Sequence, residues 1–349
     1  MIVLTGGAGF IGANTLAALN ARGRGDVLVV DDIGSSGQWR HLVGRSYPGY
    51  LHRDELWTWL AGEGPAGALP APAAGDPDAL DAVIHLGACS DTTEEDFDYL
   101  TVNNVRYSRR LWKLCARRGV PFVYASSAAT YGDGSLGFSD DHEIVPRLEP
   151  LNAYGYSKHR FDLWALERAG AAGAATAPPA WYGLKFFNVY GPHEDHKGRM
   201  ASVAHHAIGQ ARREGRIRLF RSHRPDVEDG DQKRDFVWVG DAVETILNVL
   251  DRRPPSGIYN VGTGRARTFA DMARAVFEAL GRPPSIEYFD MPEDLRGRYQ
   301  YFTEADVDKL EEAGAAPSWT SLEEGIARYV EHLVAASSGG ASGPAGASA

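Results

Sequence analysis

Tyr154 and Lys158 have the spacing of two side chains that act together on one proton. They form a Tyr-x-x-x-Lys pattern at the start of a helical stretch, and residues four apart lie on the same helical face. A tyrosine with a pKa of about 10 is a poor base at neutral pH, and a neighbouring ammonium favours its phenolate form. The apolar run that begins at Phe122 ends in a hydroxyl-rich loop, where Ser127 could hold a substrate oxygen. Tyr-x-x-x-Lys alone also occurs on solvated helices, so the combination with Ser127 is what predicts proton transfer at a hydroxyl group.

A glycine-rich turn formed by Gly6, Gly9 and Gly12 predicts a dinucleotide site. The turn directly follows an apolar run and opens a helical stretch. One glycine of such a turn allows the tight bend, one lets the backbone approach a pyrophosphate, and one packs helix against strand. The unpaired N–H groups at the helix start then face the phosphates. With a dinucleotide in place, Lys158 could also bond the nicotinamide ribose.

Asp31 and Asp32 end the second apolar run, where an acidic residue would bond the adenosine ribose. An acid there favours NAD, because it repels a 2′-phosphate. Arg40 and Arg53 are basic residues that could still accommodate NADP. The alternative for Asp31 is that it only caps a turn.

Alternating short apolar runs and helical stretches predict an α/β fold, a Rossmann doubly wound parallel sheet. Residues 1–180 are predicted to be mainly the dinucleotide-binding domain. Residues 181–334 are predicted to complete the sheet and add a smaller C-terminal substrate-binding lobe, and 335–349 to be a disordered tail. Two Gly/Ala/Pro-rich segments, Gly62–Gly75 and Ala169–Pro179, are predicted to be surface inserts.

The overall composition excludes several classes of function. The 349 residues carry 36 Lys and Arg against 46 Asp and Glu, a net charge of −10, which disfavours nucleic acid as a partner. No apolar run reaches the roughly 20 residues that a membrane span needs, and the first residues do not resemble a signal peptide. Only two cysteines occur, so a disulfide framework is excluded. We therefore expect a cytoplasmic protein.

Taken together, these motifs resemble the extended short-chain dehydrogenase/reductase family, which acts on nucleotide sugars. The resemblance runs from Met1 to about Leu333. Its most specific stretches are Asp31-Asp32, Gly87-Ala88-Cys89-Ser90, Tyr124–Gly132, Asn188-Val189-Tyr190-Gly191-Pro192, His196-Lys197-Gly198, Met200-Ala201-Ser202, Lys233-Arg234-Asp235-Phe236 and Gly297-Arg298-Tyr299-Gln300.

The resemblance implies an epimerase that interconverts ADP-D-glycero- and ADP-L-glycero-D-manno-heptose at C6″. A hydride would leave C6″ for the nicotinamide and return to the other face after the side chain of the sugar turns. The implied cofactor is NADP, with NAD as the alternative, one tightly bound per subunit. The implied assembly is a homo-oligomer, a pentamer in the resembled family.

Inversion through a ketone needs two acid/base groups, because one group cannot serve the oxygen in both orientations. By resemblance these are Tyr154 and Lys197. From the residues alone, the charged stretch around Lys197 is typical of a solvated loop. A metal site built on His193 and His196 is the rival interpretation, but no third ligand stands at a clear spacing, so no metal is predicted.

The family's site residues are carried over by position. The cofactor would contact the glycine turn, both strand-end acids and their neighbours, namely Gly6, Gly9, Phe10, Ile11, Gly12, Asp31, Asp32, Gln38, Arg53, Leu86, Gly87, Ala88, Cys89, Ser90, Asn103, Lys158, Val189 and Lys197. The substrate would contact Ser127, Asn188, Arg199, His206, Phe220, Arg234 and Tyr299. Arg234 also has a physical rationale, because a guanidinium binds a diphosphate bidentately, although it could equally form a surface ion pair with Asp235 or with the acids at 226–231.

Three features depart from the family pattern, and they keep alternatives open. Gln38 replaces a lysine that helps hold the 2′-phosphate, Arg199 replaces a small serine, and Phe220–Asp231 is longer and more charged. A C4 epimerase of an ADP-heptose or a related nucleotide sugar, and a non-catalytic NAD(P)-binding sensor, are therefore the competing hypotheses. A 4,6-dehydratase is disfavoured because the loop after Ser127 carries no carboxylate, and a simple dehydrogenase would not need Lys197.

Overall fold

The structure is a computed structural model that describes residues 1–61, 80–171, 176–296 and 299–339. The predicted insert Gly62–Gly75 and residues 172–175 of the second insert lie outside the described residues. The last helix runs to Gly339, so residues 335–339 of the predicted tail are helical, and 340–349 lie outside the described residues. No helix of the described part is long and apolar enough to cross a membrane.

Seven parallel strands form the main sheet. They are β1 (Ile2–Thr5), β2 (Val27–Asp31), β3 (Gly49–His52), β4 (Ala82–His85), β5 (Phe122–Ser127), β6 (Trp181–Phe186) and β11 (Gly257–Val261). Their spatial order is β11-β6-β5-β4-β1-β2-β3. The order changes direction beside β1, and ligands of such sheets bind in the crevice at that switch point. The predicted Rossmann fold class is confirmed.

Helices cover both faces of this sheet, which explains why its central strands are apolar and buried throughout. The helices are α1 (Phe10–Ala21), α2 (Leu56–Leu60), α3 (Phe97–Leu100), α4 (Tyr107–Arg118), α5 (Ala153–Gly170), α6 (Val203–Glu214), α7 (Val239–Arg252), α8 (Phe269–Ala279), α9 (Glu293–Arg296), α10 (Asp308–Glu312) and α11 (Leu322–Gly339). A π-helical turn, Thr101–Arg106, joins α3 to α4.

The remaining strands form three small pairs in the C-terminal half. They are β7 (Asn188–Tyr190), β8 (Ile217–Phe220), β9 (Lys233–Arg234), β10 (Phe236–Trp238), β12 (Arg267–Thr268) and β13 (Ile286–Phe289). The pairs are β7 with β10, β8 with β13, and β9 with β12. A second hydrophobic core, which includes Tyr190, Ile208, Phe277 and Tyr329, holds the β7–β10 and β8–β13 pairs together with α6, α8 and α11.

Local patterns predicted the inner strands of the main sheet and the helices after the glycine turn and at Tyr154, but they missed several elements, among them β3 and α2. β3 is the edge strand of the main sheet, and only Leu51 of its four residues is buried, so it lacks the apolar run that marks the inner strands. Of the C-terminal half, which was predicted to complete the sheet, β6 and β11 join the main sheet, whereas β10 and β13 belong to the small pairs. The proposed division into domains at residue 180 stays a prediction.

Candidate active site

The glycine turn links the end of β1 to the start of α1 at the switch point of the sheet. Gly6 has a φ of 69°, and a Cβ on it would collide with the backbone of Gly87 at the end of β4. A Cβ on Gly12 would overlap the carbonyl oxygen of Gly6. Gly9 caps α1 without a side-chain hydrogen bond, so the first N–H groups of the helix are available to an anion. These residues fit a dinucleotide pyrophosphate.

Asp31 contacts the glycine turn and lines the cleft beside it. Its Oδ2 accepts a hydrogen bond from the backbone N–H of Ala8 at 2.8 Å, which ties the strand end to the glycine turn. Its Oδ1 accepts one from the N–H of Asp32 at 2.8 Å. Burial raises the pKa of this carboxyl. Asp31 therefore shapes the glycine turn and also lines the cleft beside it.

The residues at the adenosine end pair only weakly with one another. Arg53 Nε lies 3.5 Å from Asp32 Oδ2, and the side-chain oxygen of Gln38 accepts a hydrogen bond from Ser36 at 2.8 Å. Arg40 lies over the ring of Trp39, at 4.8 Å from its centroid. Arg53 and Gln38 line the cleft, so they are the groups placed to meet a 2′-hydroxyl or a 2′-phosphate.

A cleft of about 350 Å³ gathers many of the cofactor residues that were carried over by position. Those in its lining are Gly6, Asp31, Asp32, Gln38, Arg53, Gly87, Ala88, Cys89, Ser90, Asn103 and Lys197. Phe10, Ile11, Leu86 and Val189 contribute instead to the packing around the sheet. The cleft lining also includes Tyr99 and Tyr107, which sequence reasoning did not select, and His196 and Met200, which belong to the stretches that resemble the family.

Tyr154, Lys158 and Ser127 lie where β5 meets α5, next to this cleft. Asn152 caps α5 by accepting a hydrogen bond from the N–H of Gly155 at 2.7 Å, which starts the helix just before Tyr154. Lys158, one turn later, donates to the carbonyl of Ala125 at 2.9 Å. The amine therefore binds the strand beside it, and both side chains are buried.

Burial dominates the acid–base properties of this pair. It raises the pKa of Tyr154, and a hydrogen bond with Ser127 opposes that rise. It also lowers the pKa of Lys158 to about 8. The expected effect of the Lys158 ammonium on the phenol stays a prediction, because burial is the largest influence on the pKa of Tyr154 in the protein alone.

A buried ion pair that the sequence did not reveal supports the end of β5. Lys185 on β6 donates to Asp162 of α5 at 2.7 Å, and both side chains are 0 % exposed. Asp162 also accepts hydrogen bonds from Tyr124 at 3.0 Å and from Ser126 at 2.7 Å. This network fixes α5 against β5 and β6 directly beneath Tyr154 and Ser127.

Asn104 links Cys89, which lines the cleft, to Ser157 on α5. Its Oδ1 accepts a hydrogen bond from the N–H of Cys89 at 2.9 Å, and its Nδ2 donates to the carbonyl of Cys89 and to Ser157. It lies in the π-helical turn between α3 and α4. Adjacent asparagines inside an otherwise helical stretch are the sequence signal that could have identified it, because asparagine competes with regular helix hydrogen bonding.

Lys197 reaches the cleft from a separate segment, the short 3₁₀ helix Asp195–Met200. The backbone of this segment is kinked at Gly198, and none of its residues is buried. The ammonium lies 5.4 Å from the centroid of the Phe10 ring, at the start of α1. Burial lowers the pKa of Lys197. Lys197 thus lines the same cleft as Gly6 of the glycine turn and Cys89.

His41 stands beside this segment, although it lies far away in the sequence. Its Nε2 is 3.1 Å from Oδ1 of Asp195, 154 positions downstream. Its ring centroid is 5.1 Å from that of His196 and 4.8 Å from that of His193. Linear spacing offered no third ligand beside His193 and His196, whereas the fold brings an additional imidazole and a carboxylate to them.

The residues predicted to bind substrate form two groups outside the cleft lining. In the first, the guanidinium of Arg234 lies 5.3 Å from the ring centroid of Tyr299, and Phe220 packs edge-on against Tyr299. Arg234 donates to the carbonyls of Lys233 and Gln300, so it is not the surface partner of Asp235. Asp235 is itself buried and accepts hydrogen bonds from Thr263, Gly264 and Ala305.

The second group lies near Lys197. Arg199 donates to Thr93 at 3.0 Å, and the ring of His206 lies 3.3 Å from the carbonyl oxygen of Arg199. Arg199 therefore connects the Lys197 segment with the loop that follows β4. Asn188 is exposed at the start of β7, where it accepts a hydrogen bond from Thr303 at 3.4 Å.

The chain is similar over almost its whole length to named epimerases. It is 51 % identical over 336 residues to an ADP-L-glycero-D-manno-heptose-6-epimerase of Nitratidesulfovibrio vulgaris (strain DP4), covering 96 % of this chain and 98 % of the relative. It is 44 % identical to a Fusobacterium nucleatum protein of the same name, again covering 96 % and 98 %.

Solved structures and a family-level match agree with these relatives. The structure of Helicobacter pylori ADP-L-glycero-D-manno-heptose-6-epimerase matches with a TM-score of 0.76 at 26 % identity, covering 96 % of both chains. Thermus thermophilus UDP-glucose 4-epimerase, solved in complex with NAD, matches with a TM-score of 0.74 at 27 % identity, covering 96 % of this chain and 99 % of that one. Residues 2–262 match the NAD dependent epimerase/dehydratase family. The chain therefore belongs to the NAD dependent epimerase/dehydratase family.

Proposed function

We propose that this protein interconverts ADP-D-glycero- and ADP-L-glycero-D-manno-heptose by inverting C6″. The names of the relatives supply the substrate class, and their similarity extends over 96 % of this chain. The observation that carries the proposal is the position of Lys197. It lines the same cleft as Cys89, and Asn104 hydrogen-bonds both the backbone of Cys89 and Ser157, which lies on the helix of Tyr154 and Lys158.

The cofactor that we propose is NADP, with NAD as the alternative, one per subunit. The residues that would hold it are the glycine turn, Asp31 and Asp32 at the ribose, Arg53 at the 2′ position, and Lys158. When bound, its nicotinamide accepts a hydride from the sugar carbon and returns it. Arg53 supports NADP because it lines the cleft and pairs with Asp32 only at 3.5 Å.

The protein's own residues account for the proton transfers. The Tyr154 phenolate takes the hydroxyl proton of the reacting carbinol and becomes the phenol, and the Ser127 hydroxyl holds the same oxygen. Because the lost hydration raises the pKa of Tyr154, the ammonium of Lys158 is needed beside the phenolate once ligands fill the site. Lys197 serves the oxygen after it has turned, since Tyr154 faces only one of its two orientations.

The substrate-binding groups suit a sugar diphosphate. Arg234 is buried but its hydrogen bonds are to carbonyl oxygens, so its positive charge remains for a phosphate. Tyr299 and Phe220 give it an aromatic surround. Arg199 and His206 are assigned to the sugar side, near Lys197. Asn188 is assigned to the substrate beside Arg234, since its N–H donates to the carbonyl of Asp235. A homo-oligomer also stays part of the proposal and is checked by light scattering of the purified protein.

The decisive experiment is NMR spectroscopy of the product formed from ADP-D-glycero-D-manno-heptose without added cofactor. We expect inversion at C6″ alone, with the hydrogen of C6″ retained and no solvent deuterium at C5″. Inversion at C4″ would establish the competing C4 epimerase. Deuterium at C5″ would indicate elimination chemistry, and the absence of turnover with several nucleotide sugars would favour the non-catalytic sensor.

A further inference from the structure

The cluster around His41 contains three potential metal ligands that the family chemistry does not use. His41 follows β2 in the short 3₁₀ helix Gly37–Leu42, whereas Asp195 and His196 belong to the segment of Lys197. One ligand atom from each of the three residues lies within 4.8 Å of the other two. Two imidazoles and one carboxylate form a donor set suited to Zn²⁺ and similar ions.

The hydrogen bonds of His41 determine which of its nitrogens is available. Nδ1 lies 2.8 Å from the carbonyl oxygen of Ala8 in the buried interior. A carbonyl oxygen can only accept, so Nδ1 carries the proton, and the neutral ring then presents a lone pair at Nε2. That lone pair faces Oδ1 of Asp195 at 3.1 Å. Two acceptors at this distance need a shared cation, which is either a second proton on His41 or a metal ion.

We propose that His41 Nε2, Asp195 Oδ1 and a ring nitrogen of His196 form a binding site for a transition-metal dication, with Zn²⁺ as the reference ion. At Zn–N and Zn–O distances of about 2.0–2.2 Å, ligand atoms of a tetrahedral site lie about 3.4 Å apart. The 3.1 Å between His41 and Asp195 already matches this separation. The His196 ring must move closer by a small amount.

The surroundings of the three ligands support a metal rather than a proton alone. Nδ1 of His196 is enclosed and has no hydrogen-bond partner of good geometry, so a metal would satisfy a group that the fold leaves unpaired. The bond from His41 Nδ1 to Ala8 is the outer-shell contact that metal-bound histidines usually make. The kink at Gly198, in a segment without buried residues, lets the His196 backbone adjust.

A bound ion would connect the Lys197 segment with the glycine turn. His196 precedes Lys197, and His41 bonds Ala8, which also donates to Asp31. Occupancy would therefore hold Lys197 at a fixed distance from the cofactor turn, which makes the ion a positioning element. This consequence rests on the proposed function, but the metal binding itself does not.

Zn²⁺ titration of the full, tag-free chain tests the site. The protein is treated with EDTA and desalted, and Zn²⁺ is then titrated against a chromophoric chelator, with Co²⁺ absorption as a second readout. We expect one equivalent of Zn²⁺ to bind. Asp195→Ala and His196→Asn should each weaken binding by about 100-fold or more, because removing a ligand costs at least as much affinity as removing a residue that only hydrogen-bonds a ligand. His223→Ala, which alters an exposed histidine paired with Tyr301 outside the cluster, is the matched control and keeps wild-type affinity.

Two results would overturn the proposal. If the wild-type chain binds no Zn²⁺ at 100-fold excess over protein, His41 and Asp195 share only a proton. If all three variants bind like the wild type, the ions occupy surface histidines elsewhere. Circular dichroism checks folding, and Asp195→Ala is a mild change because 65 % of that side chain is exposed. A protein that binds Zn²⁺ but epimerises nothing would refute the proposed function and leave the metal site standing.

Discussion

The two proposed acid/base residues are held in place in different ways. Tyr154 belongs to an 18-residue helix that Asn152 caps and that the buried Lys185–Asp162 pair fixes to the sheet. Lys197 belongs to a short kinked segment without buried residues. That segment is anchored by a few polar contacts: the buried Glu194 carboxylate bonds Gly191 and Ser202, Asp195 contacts His41, and Arg199 bonds Thr93. The contrast indicates one base that the core immobilises and one that a few polar contacts position.

The largest loss of turnover is expected for Tyr154, the base that the core immobilises. Tyr154→Phe removes only the phenolic oxygen, and the turnover number should fall by about 1,000-fold, within the usual range for loss of a general base. Tyr156→Phe on the exposed side of the same helix is the control. Cofactor affinity and the circular dichroism spectrum should not change. Turnover above a tenth of the wild-type rate would remove Tyr154 from the mechanism.

Loss of the buried Lys185–Asp162 ion pair, which fixes the helix of Tyr154, should strongly destabilise the protein. Asp162→Ala leaves the Lys185 ammonium buried without its carboxylate, so we expect the free energy of unfolding to fall by about 3–5 kcal/mol. Urea denaturation measures this change. Asp251→Ala, which breaks the exposed pair with Arg22, should cost less than about 1 kcal/mol. Equal losses in the two variants would contradict the comparison.

Lys197→Ala should lower the turnover number by about 100-fold, because a base held by few contacts is more easily replaced by water. The free energy of unfolding should stay within about 0.5 kcal/mol of the wild type, since the segment buries no residue. Lys113→Ala, at an exposed position of α4, is the control. A wild-type rate in Lys197→Ala would end the two-base mechanism.

The lowered pKa of Lys158 predicts opposite pH dependences for cofactor affinity and for the free energy of unfolding. Burial lowers its pKa from 10.5 to about 8, so cofactor affinity should weaken by about 10-fold per pH unit above pH 8 as the ammonium is lost. Between pH 8 and 10.5 the unfolded chain binds more protons at this residue than the native chain, so its contribution to the unfolding free energy rises with pH. Lys158→Arg should keep its charge and remove both trends, and a pH-independent affinity in the wild type would contradict the assignment.

The smallest effect is expected at the adenosine ribose. Gln38→Lys adds a cation to the cleft lining, and the ratio of NAD to NADP dissociation constants should shift toward NADP by about five-fold, the equivalent of an exposed ion pair of about 1 kcal/mol. Isothermal titration with both cofactors measures it. Gln210→Lys on α6 is the control, and an unchanged ratio would exclude Gln38 from the 2′ position.

The difference between the Tyr154 helix and the Lys197 segment also explains which parts of the site the sequence could predict. The glycine turn, the inner strands and the Tyr154–Lys158 helix follow from local periodicity, and their residues are close in sequence. The contact of His41 with Asp195 spans 154 positions, and the aromatic surround of Arg234 joins three separate segments. Such contacts depend on how loops fold over the sheet, which no local pattern encodes. The resemblance identified Lys197 and Arg234, but it did not reveal their partners.

The path of the chain through the main sheet limits how this protein can be divided. β6 and β11, from beyond residue 180, cover the free side of β5, and every side chain of β6 is buried. A fragment that ended at residue 180 would keep the glycine turn and Tyr154 but would expose β5 as a bare apolar edge, a template for aggregation. It would also lose Lys185, the counterion of Asp162. The two halves can therefore have separate tasks in catalysis without being independent folding units.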